Sequence, residues 1–354
     1  MSVQLITDLL KQVNYPGFSR DIVSFGLIRE TQFENGLARI KLEIVVSDPT
    51  LPKKLKDEIE NTLLANEEVK KVEVQIIVKK PPVNQSINGA VEEDSALAGV
   101  KKIVAVASGK GGVGKSTLAV NLACAMERII SSELSRPAKI GLMDCDVYGP
   151  SVPLLIGASG QPESLGDDRI APIESYGVKV MSMALLVDED APVVWRGPMV
   201  MKTIQQFAAN VEWGELDLLL IDLPPGTGDA QLSIAQTMPL DGVVVVTTPQ
   251  KAAVDVARRG ARMFEKVNVP ILGVVENMSF LLNEETGEKS HLFGKGGGPV
   301  TAHALSTSFL GEIPIHEEIR MGGDHGLPIV VSNPEHFASH AIIAVAQEVY
   351  SILD

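Results

Sequence analysis

Between positions 108 and 117 the chain reads Ser-Gly-Lys-Gly-Gly-Val-Gly-Lys-Ser-Thr, so Gly109, Gly114, Lys115 and Ser116 fill the pattern Gly-x-x-x-x-Gly-Lys-Ser/Thr. Glycines let successive backbone N–H groups converge on phosphate oxygens, the lysine brings charge to the β- and γ-phosphates, and the following hydroxyl is placed for Mg2+. The chemistry is the binding of ATP with Mg2+, and Lys110, Gly111, Gly112, Val113 and Thr117 complete the loop around it. An apolar run before the loop and a helical pattern from Thr117 to Ile129 after it supply the context that this motif demands.

Phosphoryl chemistry also needs carboxylates around the metal and its waters. Two apolar runs end in them: Leu218-Leu-Leu-Ile-Asp222, and Lys139-Ile-Gly-Leu-Met-Asp144-Cys-Asp146. Asp222 is the candidate metal-side acid together with Ser116, and Asp144 lies nearer the same shell. Asp146 is the candidate for positioning water or acting as general base. The plainer alternative for Asp144 or Asp146 is a residue that caps the turn. Pro224-Pro-Gly-Thr-Gly-Asp229 follows the first acid as a loop able to sense the γ-phosphate through Gly226 and Asp229. Lys110 and Lys115, with Asp146, form the candidate catalytic set. Lys110 is either a solvated surface lysine or a charge supplied across a dimer, as a finger acting in trans would be.

The elements that must position these groups follow from hydropathy spacing. Apolar runs at 102–108, 139–143, 178–183, 216–222, 242–248, 270–276 and 309–313 alternate with helical patterns. Near-continuous apolar strands separated by helices predict an α/β, doubly wound, mostly parallel sheet in a P-loop NTPase domain over 101–354, with ligands at the carboxyl ends of its strands. Residues 1–80 predict a separate small α+β domain of order α-β-β-α-β: a helix over 6–13, strands over 21–28 and 37–46, a helix over 52–64 and a strand over 69–78. Residues 81–100, with Pro81-Pro82 and scattered polar groups, predict a linker.

Composition bounds the function class. Of 354 residues 45% are hydrophobic, enough for a core, and 45 acidic against 31 basic side chains give a net charge of −14. That balance disfavours nucleic acid, whose binding is driven by clustered Lys and Arg. Two cysteines, Cys124 and Cys145, exclude a disulfide framework and suit a reducing, cytoplasmic setting. The first residues show no secretory signal, and no apolar run is long enough to span a membrane.

On its motifs the chain resembles the Mrp/ApbC iron–sulfur cluster carrier ATPases, of the deviant-Walker group that includes ParA, MinD and the nitrogenase iron protein. The resemblance rests on the phosphate loop, Met143-Asp-Cys-Asp-Val-Tyr-Gly-Pro-Ser151, Trp195-Arg-Gly-Pro-Met199, the run from Trp213 to Asp229, Thr247-Thr-Pro-Gln250, Glu276-Asn-Met-Ser279 and Phe293-Gly-Lys-Gly-Gly-Gly298. Leu218 stands where the family usually has an aromatic. Residues 1–80, with the stretch from Arg20 to Ile28, look like the MIP18-like iron–sulfur assembly domain often fused ahead of this ATPase.

The resemblance implies a homodimer that sandwiches ATP, with Lys110 reaching the partner's nucleotide, Asn277 reading adenine and the segment near Pro314 closing that pocket. It implies slow ATP hydrolysis, an iron–sulfur cluster as cargo, and client apoproteins or assembly factors as partners. One departure cuts against the cargo. Where the family typically carries Cys-x-x-Cys, this chain has Asn283-Glu-Glu-Thr286, and Leu51 replaces a cysteine often found before the equivalent of Pro52. Amide and hydroxyl oxygens are poor substitutes for thiolates, so no iron–sulfur ligand is assigned. The competing reading is a nucleotide-switched dimeric adaptor of the same pathway without a cluster of its own. A MinD- or ParA-like positioning ATPase is disfavoured, because the C-terminal helical segment lacks the basic face that holds such helices on anionic lipid.

Overall fold

The computed structural model describes residues 3–13, 22–23, 27–34, 36–45, 51–66, 68–79, 97–187 and 197–353. The chain divides into two compact units, 1–90 and 91–354.

In the first unit, α1 (Val3–Leu10), β1 (Ile28–Glu34), β2 (Leu37–Val45), α2 (Leu51–Leu64) and β3 (Lys71–Lys79) follow one another. The sheet order is β1-β2-β3, antiparallel then parallel, with α2 as the crossover. The four-residue spacing of Leu55, Ile59 and Leu63 puts all three on the buried face of α2, against Ala38, Ile40 and Leu42 of β2 and Ile6 and Leu10 of α1. Each large aliphatic so buried stabilises by about 1.5–3 kcal/mol. Of the strand expected over 21–28, residues 21 and 24–26 lie outside the described set, and the first described strand begins at Ile28. Ile22 sits in a turn, fully buried, with its N–H donated to Val13 O at 3.0 Å, and the strand itself is the polar stretch Ile-Arg-Glu-Thr-Gln-Phe-Glu. An edge strand with few apolar side chains carries little periodic signal.

The second unit holds, among the described residues, an eight-stranded sheet of order β15-β12-β11-β4-β10-β5-β9-β8. Its chain order is β4 (Ile103–Ser108), α3 (Lys115–Leu134), β5 (Ile140–Asp144), α4 (Val152–Ile156), the hairpin β6 (Ser164–Gly166) and β7 (Arg169–Ile170), β8 (Ile173–Ser175), β9 (Val178–Met181), α5 (Gly197–Asn210) and β10 (Leu218–Asp222). Then come α6 (Asp229–Thr237), β11 (Gly242–Thr247), α7 (Lys251–Lys266), β12 (Ile271–Glu276), the hairpin β13 (Leu281–Leu282) and β14 (Lys289–Ser290), α8 (Gly297–Ala304), β15 (Ser308–Glu312), α9 (Glu317–Asp324), α10 (Ile329–Ser332) and α11 (Phe337–Leu353). The sheet pairs are parallel except β8 with β9.

β4, β5, β10 and β11 are buried along their whole length, because helices cover both faces. One core packs α3 and α11 on the sheet, and the other gathers α5, Trp213 and the opposite faces of β4 and β10. The short hairpins and β8 escape a periodicity argument, since two or three residues cannot display one. Of the expected linker, residues 97–100 are described, and they belong to this unit: Leu97 is buried in the second core and Val100 bridges Leu216. Residues 81–96 lie outside the described set.

At the end of the sheet remote from the phosphate loop, Asp217 ties three strands together. It accepts two bonds from Arg136 at 2.7 and 2.8 Å, one from Lys101 Nζ at 2.8 Å and one from Lys139 N at 3.0 Å. The Arg136 guanidinium, with Lys101, holds its carboxyl well below the usual carboxylate range. Asp217→Asn should lower stability by roughly 1.5–3 kcal/mol, nearer the lower figure because solvent screens the exposed Lys101 and Arg136 heads. A depressed folded pKa means this contribution is complete above the unfolded value of about 4 and is lost as pH falls below it. Denaturant midpoints should therefore separate wild type from variant at pH 7 and converge in acid.

Candidate nucleotide-binding site

The site is built where β4, β10 and β5 end side by side. Parallel register places Asp222 beside Val106 on one neighbour and beside Asp144 on the other. The loop 109–114 leaves β4 and enters α3 at Lys115, and α3 begins without a side-chain cap. Its first N–H groups are thus free for an anion, which the helix dipole also favours.

Two glycines of the loop are dictated by space. A Cβ on Gly109 would lie 2.5 Å from the backbone carbon of Val256 in α7. Gly114 has φ +78°, in the left-handed region, and a Cβ there would collide with the amide of Asn277.

Lys115 is buried, and its Nζ lies 2.5 Å from Asp222 Oδ1 and 3.2 Å from Ser116 Oγ. Ser116 Oγ donates in turn to Asp222 Oδ2 at 2.6 Å. Burial pushes the Asp222 carboxyl up, while the Lys115 charge pulls against it. Asp144 is raised to about 7, by burial first and then by the neighbouring Asp222 charge. Two buried carboxylates facing one buried ammonium leave a local deficit of positive charge. The hydroxyl and carboxylate oxygens of Ser116 and Asp222 are hard donors of the kind Mg2+ takes, so the residues present fit that ion.

The two acids of the Asp-Cys-Asp sequence are placed differently. Asp144 is almost fully buried, and both its oxygens are engaged: Oδ1 accepts Asp146 N at 3.0 Å, and Oδ2 accepts Ser182 Oγ at 3.0 Å and Val152 N at 3.3 Å. It anchors the loop and the start of α4. Asp146 is half-buried and accepts Gly149 N at 3.2 Å through Oδ1. Lys110 is exposed.

Gly226 N donates to Ser108 O at 3.1 Å, which draws the Pro-Pro-Gly-Thr-Gly loop against the phosphate loop. Asp229 is the first residue of α6; its side chain lies outside the described residues. Beside the loop, a cleft of about 490 Å³ is lined by Gly114, Thr117, Asn277, Pro314 and the apolar Leu155, Met278, Ile315 and Ile319. Asn277 Nδ2 donates to Val113 O at 2.8 Å, which locks the end of β12 to the loop. Asn277 and Pro314, far apart in sequence, thus line the same cleft beside the phosphate loop.

Sequence reasoning missed three buried residues that hold this arrangement. Ser182 fixes Asp144. Gln231 Nε2 donates to Pro224 O at 2.6 Å and Ser108 O at 3.2 Å, bridging both loops. Glu276 accepts Ser279 Oγ at 2.6 Å and Gly298 N at 2.5 Å, fastening the Gly-rich segment to β12. Glu276 and Gly298 each fell within a motif, but nothing in their spacing reveals that they bond to each other.

Where thiolates would be expected, the chain has a turn that satisfies itself. Asn283 Oδ1 accepts the N–H of Glu285 at 3.0 Å and of Thr286 at 3.1 Å, and Thr286 Oγ1 accepts Glu288 N at 3.3 Å. Both cysteines are buried. Burial, then Glu127, pushes the Cys124 thiol up to about 12, and burial with Asp144 raises Cys145 well above its usual value. Neither is a thiolate ligand in this structure, so the donor set does not fit a cluster held by the chain's own cysteines. His291 pairs with Ser279 O at 3.1 Å and stacks edge-on to Phe280, a loop residue rather than a ligand.

A doubly wound sheet, a glycine loop carrying both Lys110 and Lys115, and acids at the adjoining strand ends define a P-loop NTPase of the deviant-Walker class. Residues 99–350 match the family described as the NUBPL iron-transfer P-loop NTPase, and the chain belongs to it. Residues 4–76 match the iron–sulfur cluster assembly protein domain. The chain is 53% identical over 253 residues to the Arabidopsis thaliana iron–sulfur protein required for NADH dehydrogenase, mitochondrial, covering 72% of this chain and 79% of that one. It is 36% identical to the iron–sulfur cluster carrier protein of Synechocystis, over 99% of this chain and 97% of the other. Among solved structures, a nucleotide-binding protein from Archaeoglobus fulgidus in complex with ADP aligns with TM-score 0.58 and 36% identity, over 68% of this chain and 91% of that one. The Pyrococcus horikoshii MinD protein, at TM-score 0.50 and 24% identity over 70% and 95% of the two chains, shares the fold.

Gly114→Ala should lose nucleotide affinity and destabilise the protein by more than about 1 kcal/mol, since it forces a side chain into a left-handed conformation. Adding Asn277→Ala removes the collision and should recover part of that stability in thermal melts. No recovery would show that the amide does not set the loop's shape.

Proposed function

We propose that this chain is a dimeric, slowly hydrolysing ATPase that works in iron–sulfur protein maturation. The observation that carries the reading is the buried Lys115–Asp222–Ser116 constellation under the glycine loop.

On ATP binding, Lys115 leaves Asp222 for the β- and γ-phosphates, and the Asp222 and Ser116 oxygens would hold Mg2+. The bound ion would neutralise charge on the phosphate oxygens. Asp146, the less buried acid, orients the attacking water, and Asp144 holds the loop that carries it. Gly226 and Asp229 respond to the γ-phosphate through the segment fastened to Ser108. Asn277 and Pro314 face adenine in the apolar cleft. Lys110, exposed on the loop, reaches the nucleotide of a second copy and supplies charge there as phosphate is released.

The relatives named as iron–sulfur cluster carriers support a cluster as cargo. A second reading, a nucleotide-switched adaptor that docks clients without binding a cluster, is favoured by the Asn283 turn and the two buried thiols. Among the described residues no helix is long and apolar enough to cross a membrane.

Lys115→Ala should abolish nucleotide binding, whereas Asp146→Ala and Lys110→Ala should bind ATP and lose turnover. Mixing equal amounts of the last two separates trans from cis action. With random assortment half the dimers are hybrid and one of their two sites is complete, so roughly a quarter of wild-type turnover should return. No recovery would confine Lys110 to its own subunit, and full turnover by Lys110→Ala alone would remove it from the mechanism.

Anaerobic reconstitution of the ATP-loaded protein with iron and sulfide divides the two cargo readings. A protein-bound cluster by iron analysis and absorbance supports the carrier; none leaves the adaptor.

A further inference from the structure

The turn that stands in for the expected thiols brings a different set of donors together. Glu284 Oε1 lies 3.0 Å from His316 Nε2, and one ligand atom from each of Glu284, His316 and His336 lies within 4.8 Å of the others. The two imidazole centroids are 4.4 Å apart, and the Phe337 ring packs on both, at 5.2 Å from His316 and 4.4 Å from His336. His316 is largely buried, with a side-chain exposure of 13%, while Glu284 is open to solvent at 62%. The group therefore has a fixed back wall of imidazoles and an accessible carboxylate front.

We propose that Glu284, His316 and His336 form a mononuclear site for a borderline divalent metal ion of the Zn2+, Fe2+ or Co2+ type. Two imidazoles and one carboxylate are a donor set that such ions take, leaving positions open for water. The oxygens of Ser116 and Asp222, by contrast, suit Mg2+, so the two sites differ in selectivity.

Each ring is also engaged at its other edge. His316 Nδ1 accepts Glu318 N at 3.2 Å where α9 begins, and His336 Nδ1 accepts Ala338 N at 3.2 Å in the first turn of α11. In the neutral rings these bonds place the proton on Nε2. Coordination through Nε2 moves that proton to Nδ1 and gives up the two capping bonds, which metal–ligand bonds outweigh. The site joins three elements: the β13–β14 hairpin through Glu284, the wall of the nucleotide cleft through His316, and the start of α11, which packs on α3, through His336. An ion there clamps the hairpin to the nucleotide cleft.

The test uses the untagged full-length chain, stripped with a chelator and titrated with Zn2+ against a chromophoric competitor, without nucleotide and with excess Mg2+. A single tight equivalent is expected. Glu284→Gln, His316→Asn and His336→Asn should each weaken it by more than the roughly 10–100-fold that loss of an outer-shell partner costs. Asparagine is a strong helix N-cap, so the two histidine variants can retain the helix starts while losing the ligand. Co2+ in place of Zn2+ should give ligand-field bands without a thiolate charge-transfer band. Absence of tight Zn2+ binding, unchanged affinity in all three variants, or a thiolate band pointing to Cys124 or Cys145 would overturn the proposal. ATP turnover plays no part in the readout, so this site and the proposed ATPase fail or stand separately.

Discussion

A lysine ammonium buried against a buried aspartate is the interaction around which the large unit is arranged. Taking both charges out of water is costly, and such a pair contributes little net stability, although losing one partner costs about 3–5 kcal/mol. Lys115 and Asp222 can be held there only because β4 and β10 run parallel and adjacent, and because the glycine loop turns the chain from one into α3 beneath the other. A pair that is expensive to keep and expensive to break suits a site that exchanges one set of charges for another. Phosphate for Lys115 and a cation for Asp222 would satisfy both at once.

The same constraint explains the supporting residues. Asp144 is drawn toward its protonated range by burial and by Asp222, and its engaged oxygens make it a strut for the loop carrying Asp146. Gln231 and Asn277 fasten the neighbouring loops to Ser108 and Val113, so the phosphate loop is braced from two sides. Preorganised donors of this kind are what phosphoryl transfer draws on.

Much of this was legible in the residues themselves. The loop pattern and the strand-end acids are local features, and fully buried strands write themselves as apolar runs. The polar edge strand β1, the short hairpins and the antiparallel β8 leave no such trace. Ser182, Gln231 and the bonds of Glu276 were invisible because each acts on a partner brought near only by the tertiary fold. The meeting of Glu284 with His316 and His336 is of the same kind. Asn283 and Thr286, by contrast, were readable as missing thiolates, and the turn they close is what the hydrogen bonds add.

The nucleotide side and the cargo side of the protein therefore rest on different footings. The first has a built site; the second has relatives that carry clusters and a chain whose own thiols are buried. The central claim is that nucleotide and Mg2+ displace the Lys115–Asp222 pair. Calorimetric titration of ATP into wild type and Asp222→Asn, with Mg2+ and with EDTA, tests it most directly. Mg2+ should tighten ATP binding to the wild type and make little difference to the variant. An equal Mg2+ effect in both proteins would contradict the account.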